Sequence, residues 1–316
     1  MATKKSKSSN KSNKTKSTKP KTADKPIEKL ELEAVDTTIV EETETVEKTR
    51  PVSSSSKKSC LSGFFARKYE EKESILTVFK NHKFYGALLG EIIGTMLIAL
   101  LLFSLSLMGI ANIATYGFAV IAVLIAVYAF SGACLNPIVT VGMMASRRMS
   151  VIRGIMYIIA EVIGAWLGWL IFNAFHLAGG ETAYDIPAMS AIGEGGFWMV
   201  AFVELLGAAI IAFAFARALK YKRSVFTFAA VIAGGIALAV IVGYVVSAAF
   251  LGLNNNFIFN PAAAMMMQIF PQSGESFGEI LGGICQALSA YAIIPMIGGV
   301  IGFYLSDFTA KLSGEE

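Results

Sequence analysis

Residues 131–140 read SGACLNPIVT, and residues 260–262 read NPA. Each stretch contains an Asn followed by a Pro, Asn136-Pro137 in the first and Asn260-Pro261 in the second. Pro is favoured at the first position of a helix, where its missing N–H would have no partner anyway, and Asn is among the best N-caps. Each dipeptide therefore predicts the start of a helix.

The apolar segments that begin at these dipeptides are short. At ~1.5 Å per residue, 136–145 and 260–270 each cover about half of a bilayer. Around them, hydropathy predicts six stretches long enough to cross a hydrocarbon core of about 30 Å. We place these six spans at 84–108, 114–132, 151–173, 197–218, 225–247 and 279–305. The sequence thus predicts an all-α membrane protein with six transmembrane helices and two half-helices.

Composition agrees with a membrane protein and argues against a soluble globular enzyme. Of the 316 residues, 55% are hydrophobic and 16% are charged, whereas soluble domains are about 25% charged. The charges concentrate in residues 1–80, which contain 18 of the 27 Lys and Arg. We predict a disordered, charged tail at 1–80, a membrane domain at 81–308 and a short tail at 309–316.

The predicted N-terminal tail begins with a run of lysines from Lys4 to Lys25, followed by acidic residues between Glu28 and Glu47. A lysine run can bind nucleic acid or anionic lipid. No aromatic residue interleaves the lysines before Phe64, so base stacking is not provided for. We therefore expect a solvated tether and no nucleic-acid partner.

Basic residues predict the orientation of the spans. They precede the first span, and they lie between the second and third and between the fourth and fifth. With six crossings, all three places are on one side. The opposite loops carry Glu181, Asp185, Glu194 and Glu275 but no Lys or Arg. The positive-inside rule therefore predicts that both termini are cytoplasmic, and we expect a multi-pass protein of the cell membrane.

The two Asn-Pro dipeptides belong to an internal repeat. The first span contains Glu91 and Gly94, and the fourth contains Glu204 and Gly207 in the same Glu-x-x-Gly pattern. Each is followed by another span and then by a half-helix. Because each half has three spans, the halves must lie in opposite orientations, and their half-helices enter from opposite faces. We expect the half-helices to meet near the midplane.

Such a meeting point predicts selectivity for neutral solutes. Two helix N-termini place positive dipole ends at one spot, which repel a cation or a proton. Each Asn caps its helix through the side-chain oxygen and can still offer its amide N–H₂ to a hydroxyl or a water. The non-helical runs 131–135 and 254–259 cannot face lipid, so we expect their carbonyls to line a pore.

These motifs resemble those of the major intrinsic protein family, the aquaporins and glycerol facilitators. The resemblance covers residues 84–305: 131–140 is similar to the family's SGAHLNPAVT run, 260–262 to its second NPA box, and 295–302 to its sixth helix. The resemblance implies a pore in every subunit and a homotetramer. It also implies that Glu91 and Glu204 are buried and accept hydrogen bonds from the pore loops; a proton relay is the alternative role.

The chain departs from the family at the narrowest part of the pore. Ala263 follows the second NPA, where the family normally has an Arg. From their positions relative to the two Asn-Pro dipeptides, we predict that four residues form the selectivity filter: Tyr116, Ala248, Phe257 and Ala263. Asn254–Asn256 either add donors there or form a solvated turn. Glu161 stands where the family commonly has Gln, and its partner is not evident from sequence.

The predicted function is passive diffusion of small uncharged solutes, glycerol or a similar polyol and also water. We expect no cofactor, no metal and no covalent chemistry. Channels for formate and nitrite also have six helices, but they lack paired Asn-Pro boxes. A further alternative is a membrane scaffold with a closed pore, whose charged tail binds cytoplasmic partners. Solute flux distinguishes the scaffold from a channel.

Overall fold

The computed structural model describes residues 75–108, 110–180, 193–220, 224–250, 257–268 and 276–315. All regular structure within these ranges is helical. The α-helices are α1 (Ile75–Lys80), α2 (His82–Met108), α3 (Ile113–Ser131), α4 (Pro137–Ala145), α5 (Val151–Ala178), α6 (Gly193–Lys220), α7 (Val225–Phe250), α8 (Pro261–Gln268), α9 (Phe277–Leu288) and α10 (Ile294–Leu312). A 3₁₀ turn, Ile110–Asn112, precedes α3, and a π-helical turn, Ser289–Ile293, joins α9 to α10.

Six helical segments of the described chain are long and apolar enough to cross a membrane. They are α2, α3, α5, α6, α7 and the continuous run from α9 to α10, with mean hydropathies of 1.8 to 2.6. Large apolar side chains such as Phe118, 74% exposed, and Phe226, 63% exposed, face outward, as expected of helices surrounded by lipid. The prediction of an all-α membrane fold with six spans is confirmed.

The two remaining apolar helices are the half-helices. α4 has nine residues and α8 has eight. At ~1.5 Å per residue, neither reaches across a core of about 30 Å. The half-helices occupy corresponding places in the two halves of the chain, as the repeat in the sequence predicts.

Glycines allow the long helices to approach closely, and they do so in the same way in both halves. A Cβ on Gly164 of α5 would strike the carbonyl oxygen of Ile92 on α2. A Cβ on Gly298 of α10 would strike that of Leu205 on α6. Ile92 and Leu205 each follow the repeated glutamate directly. The pairing of α2 with α5 is therefore repeated in the pairing of α6 with α10.

Two described segments differ from the predicted boundaries. Residues 75–80, assigned to a disordered tail, form α1. The last helix runs to Leu312, beyond the predicted end of the span at 305. Arg148 and Lys220 form ion pairs with the carboxylate of Asp307, which lies in this last part of the helix. Residues 1–74, which make up most of the predicted tail, lie outside the described residues.

Basic side chains from distant parts of the chain gather at one end of the helices. Arg148 and Lys220 both pair with Asp307, and Arg217 pairs with Glu315. These residues come from the segment after α4, the end of α6 and the end of the chain. The contacts agree with the sequence argument that basic residues lie on one side, and a cytoplasmic location of that side remains a prediction.

Candidate functional site

The first half-helix, α4, begins with a side-chain cap. Asn136 has extended backbone angles, φ −160° and ψ 122°, and its Oδ1 accepts the N–H of Ile138 at 3.0 Å. Pro137 occupies the first helical position, where no N–H is needed. The cap satisfies one N–H that would otherwise have no partner at the helix start.

The second half-helix, α8, begins in the same way. The Oδ1 atom of Asn260 accepts the N–H of Ala262 at 3.1 Å and that of Ala263 at 3.3 Å. Pro261 is the first residue of the helix. Asn260 is only 3% exposed, whereas Asn136 is partly exposed. Of the two cap side chains, Asn136 is therefore the more accessible.

The two caps are joined by a reciprocal exchange of hydrogen bonds. The Nδ2 atom of Asn136 donates to the carbonyl oxygen of Phe259 at 2.8 Å, and that of Asn260 donates to the carbonyl oxygen of Leu135 at 3.2 Å. Each asparagine thus binds the residue that precedes the other. The N-termini of α4 and α8 meet at this point. Each Nδ2 has a second N–H that takes no further acceptor among the described residues.

The exchange depends on an unusual backbone conformation. Leu135 and Phe259, the residues before the two asparagines, both have a φ of 52°. Residues other than Gly rarely adopt this left-handed region, because it is strained. The surrounding contacts must therefore stabilise this conformation. The same conformation at the same position in both halves turns each carbonyl toward the opposite asparagine.

Two buried carboxylates hold these loops. Glu91 accepts the N–H groups of Cys134 at 3.1 Å and Leu135 at 2.7 Å. Glu204 accepts those of Ile258 and Phe259, the latter at 3.1 Å. Both glutamates are 0% exposed. Each carboxylate therefore gives acceptors to the two N–H groups that precede its asparagine, and the backbone donors stabilise the buried acid.

Two glycines make room for the left-handed residues. A Cβ on Gly94 would collide with the side chain of Leu135, and one on Gly207 would collide with the ring of Phe259. Both glycines lie one turn after the loop-holding glutamate. The Glu-x-x-Gly repeat seen in the sequence thus places one acceptor and one gap against each loop. Sequence reasoning recognised the repeat but not this steric role.

Glu161 is a third buried carboxylate, and its hydrogen bonds involve the first half-helix alone. Its Oε1 atom accepts the hydroxyl of Thr140 at 2.6 Å and the backbone N–H of Asn136 at 3.2 Å. Thr140 lies one turn into α4 and was not singled out from the sequence. The only sequence signal for it is a hydroxyl in an otherwise apolar helix.

The four predicted filter residues occupy different environments. Tyr116 on α3 is 6% exposed, and Ala263 on α8 is 0% exposed. Ala248 lies at an exposed position near the end of α7. The ring of Phe257 stacks on that of Phe259, with centroids 5.0 Å apart. No hydrogen bond or aromatic ring contact among the described side chains joins any two of the four, and the filter remains a prediction.

Asn254–Asn256, the predicted additional donors, lie outside the described residues.

Ala263 belongs to an apolar cluster with residues such as Ala99, Phe103 and Tyr291. Its methyl group contributes no accessible surface.

Similarity to known proteins agrees with this arrangement. A protein-family profile described as "Major intrinsic protein" matches residues 78–308. Aquaporin-1 of sheep, Ovis aries, is 37% identical over 60 residues, which are 19% of this chain and 22% of that protein. The matched stretch thus spans about a fifth of that relative.

A solved structure, that of the aquaglyceroporin from Plasmodium falciparum, is similar in fold with a TM-score of 0.50. The alignment covers 72% of this chain and 95% of that chain at 17% sequence identity, so it supports the fold alone. The family match extends over more than half of the sequence and overlaps all six apolar helical segments. The chain is therefore a multi-pass membrane protein that belongs to the major intrinsic protein family.

Proposed function

We propose that the protein is a passive channel for small uncharged solutes, and that glycerol or a similar polyol passes together with water. The observation that carries the proposal is the meeting of two asparagine-capped helix N-termini, joined by the Asn136–Phe259 and Asn260–Leu135 hydrogen bonds. The remaining amide N–H of Asn136 can donate to a solute hydroxyl, because this side chain is partly exposed.

Charge at the meeting point favours neutral solutes. The two helix N-termini each carry a partial positive charge of about half an elementary unit. The carboxylates of Glu91 and Glu204 are fully buried, and their oxygens bind loop N–H groups. A cation at the meeting point would therefore face positive dipoles without an accessible carboxylate. The same field opposes proton hopping along a file of water.

The filter proposed from the sequence favours a polyol over water alone. It consists of Tyr116, Ala248, Phe257 and Ala263. Two alanines leave more room than the bulky polar side chains common at such a constriction. Two aromatic rings provide apolar surface for the carbon side of a polyol. The position of Phe257, close to Asn260 in sequence and stacked on Phe259, supports its place beside the half-helix entrance.

We further infer that the termini are cytoplasmic and that the subunits form a homotetramer in the cell membrane. The orientation rests on the positive-inside rule and on the basic end defined by Arg148, Arg217 and Lys220. The tetramer rests on family membership. The proposed mechanism uses no cofactor and breaks no bond, since binding and release along the pore suffice for diffusion.

The test is stopped-flow light scattering on proteoliposomes, with glycerol and water measured separately. Asn136→Asp and Asn260→Asp replace an amide donor by a carboxylate, so each loses its cross-bond and places a negative charge at the meeting point. Both should lower glycerol flux to near that of protein-free vesicles. Leu305→Ile, at an exposed apolar position on α10, is the matched control and should conduct as the parent chain does.

The filter needs a separate variant. Ala248→Phe fills an exposed position, so it should fold normally while it narrows the proposed constriction. Glycerol flux should fall more than water flux, and Leu305→Phe should change neither. Flux equal to that of empty vesicles for both solutes, from folded protein, would contradict the channel and favour the scaffold. In that case deletion of residues 1–75 should abolish binding of cytoplasmic partners.

A further inference from the structure

The loop before α4 is held by two carboxylates, whereas Glu204 is the only carboxylate with a hydrogen bond to the described part of the loop before α8. Glu91 accepts the N–H groups of Cys134 and Leu135, and Glu161 accepts the next one along, that of Asn136. Three consecutive backbone donors are thus divided between two acids from different helices. The backbone of Asn136, the more accessible of the two cap residues, is held by Glu161.

The two oxygens of Glu161 have unequal surroundings. Oε1 accepts two hydrogen bonds, from Asn136 and Thr140. Oε2 is completely buried and has no hydrogen-bond partner in the described part of the chain. By contrast, each oxygen of Glu91 accepts one loop N–H. Each acid therefore accepts two of these hydrogen bonds, but only in Glu91 do both oxygens have a partner.

In the described part of the chain, the groups around Glu161 are acidic or neutral. The titratable groups that act on it or lie beside it are Glu91 on α2 and Cys134 on the loop. On its own helix, Tyr157 donates its hydroxyl to the carbonyl oxygen of Ser131. α4 presents the Thr140 hydroxyl, and the start of α8 packs with alanines and methionines. Within the described ranges, no Lys or Arg forms an ion pair with Glu161.

An ionised Glu161 would place a second negative charge beside Glu91 in a site with 0% exposure, with one oxygen unsolvated. A buried charge without a partner costs far more than a buried neutral group. A proton on Oε2 removes that charge and leaves Oε1 as a carbonyl oxygen. This atom still accepts both hydrogen bonds.

We propose that Glu161 is a positioning residue for Asn136 and that it holds the start of α4 as a neutral carboxylic acid, with its proton on Oε2. Loss of this proton to bulk water at high pH leaves two adjacent carboxylates that repel each other. The hold on Asn136 and Thr140 then weakens, and conduction falls as pH rises. The second half has Pro295 at the corresponding place, so Glu204 is the only acid that holds the described part of the loop before α8.

Infrared spectroscopy of the full-length protein in lipid tests the protonation state without relying on transport. The parent chain should show the carbonyl band of a protonated carboxylic acid near neutral pH. Glu161→Gln, which has almost the same shape, should lose that band. Thr140→Val should shift it to higher frequency, because the carbonyl oxygen loses a hydrogen bond. Glu315→Gln, at an exposed position, should leave it unchanged.

Flux measurements complete the test and rest on the channel function proposed above. Glycerol flux through the parent chain should fall at high pH, and flux through Glu161→Gln should stay level over the same range. Absence of the carboxylic acid band in the parent chain, or its survival in Glu161→Gln, would overturn the proposal even if the channel conducts. Identical pH profiles of parent and variant would overturn it as well. If the chain conducts nothing, the infrared result still decides the protonation of Glu161.

Discussion

The two halves of the molecule begin their half-helices with the same set of residues. They differ in the contacts that hold each half-helix after its first residue. Both have a capping asparagine, a left-handed residue before it, and a glutamate that holds the loop. Gly164 and Gly298 occupy corresponding places, so Glu161 in the first half corresponds to Pro295 in the second. Thr140, the fifth residue counted from Asn136, likewise corresponds to Ala264.

The difference indicates that both halves provide acceptors for the backbone N–H groups of the loop. A hydrogen bond from a half-helix side chain to a neighbouring helix, here called the polar anchor, is specific to the first half. The first half-helix is tied to α5 through Thr140 and Glu161. Ala264 in the second is 0% exposed and packs in an apolar cluster. Beyond the loop-holding glutamates, the first half-helix is therefore anchored by a second protonatable group, whereas the second half-helix is anchored by close packing.

The largest expected effect separates the two loop-holding glutamates. Glu204→Leu leaves the N–H groups of Ile258 and Phe259 without an acceptor, at about 1–3 kcal/mol each. Glu91→Leu frees two donors as well, but Glu161 still holds the neighbouring Asn136. Glu204→Leu should therefore lower the unfolding temperature in detergent more than Glu91→Leu does. An equal or larger loss in Glu91→Leu would show that Glu161 gives no independent support.

The next effect compares the glycines that face the left-handed residues. Gly207→Ala would press against the ring of Phe259, which is stacked on Phe257, at a cost of about 1–3 kcal/mol. Gly94→Ala meets the flexible end of Leu135 and should cost less. Thermal unfolding measures both. Gly117→Ala, where nothing lies within 4 Å of an added Cβ, is the control and should not destabilise the chain.

A smaller effect concerns the anchor of each half-helix. Thr140→Val removes one hydroxyl donor to Glu161 and should destabilise the protein by about 1 kcal/mol. Ala264→Ser makes the opposite change in the second half, where the added hydroxyl enters an apolar cluster, and it should also destabilise. Unfolding midpoints of the two variants give the comparison. A stabilising Ala264→Ser would mean that the second half has an unused polar anchor.

The smallest effect comes from an exposed ion pair, in contrast with the buried acids. Hydrogen bonds from Arg217 hold the pKa of Glu315 below its ordinary value of 4.5. A lowered pKa in the folded state stabilises the protein above that ordinary value, and this stabilisation is lost as pH falls through the lowered pKa. Arg217→Gln should thus cause a slight loss of stability at neutral pH and none in strong acid. Thermal unfolding at both pH values checks it.

Much of this fold could be predicted because its signals are local. Hydropathy identified the six spans, and Asn-Pro identified the two short helices, since a helix start depends on a few adjacent residues. The end of the last helix could not be predicted in this way. Asp307 is a charged residue beyond the predicted span, and its ion pairs with Arg148 and Lys220 join residues that are distant in the sequence.

The candidate site was predictable in part, for the same reason. The caps and the repeated glutamates are visible as a pattern in the sequence. The hydrogen bond between Asn136 and Phe259 joins residues in different halves and depends on a left-handed backbone. Nothing in the sequence indicates this conformation, because the residue there is not a glycine. The partners of Glu161 could not be predicted either, because they depend on the packing of α4 against α5.

The most direct test of the central claim, that two opposed helix N-termini pass neutral solutes and exclude protons, uses one preparation of proteoliposomes. Glycerol flux is followed by light scattering, and proton leak by an internal pH-sensitive dye under a pH gradient. We expect glycerol flux well above that of protein-free vesicles and a proton leak equal to theirs. Glycerol flux no greater than that of protein-free vesicles, from protein shown to be folded, or a proton leak that rises with the amount of protein, would contradict the account.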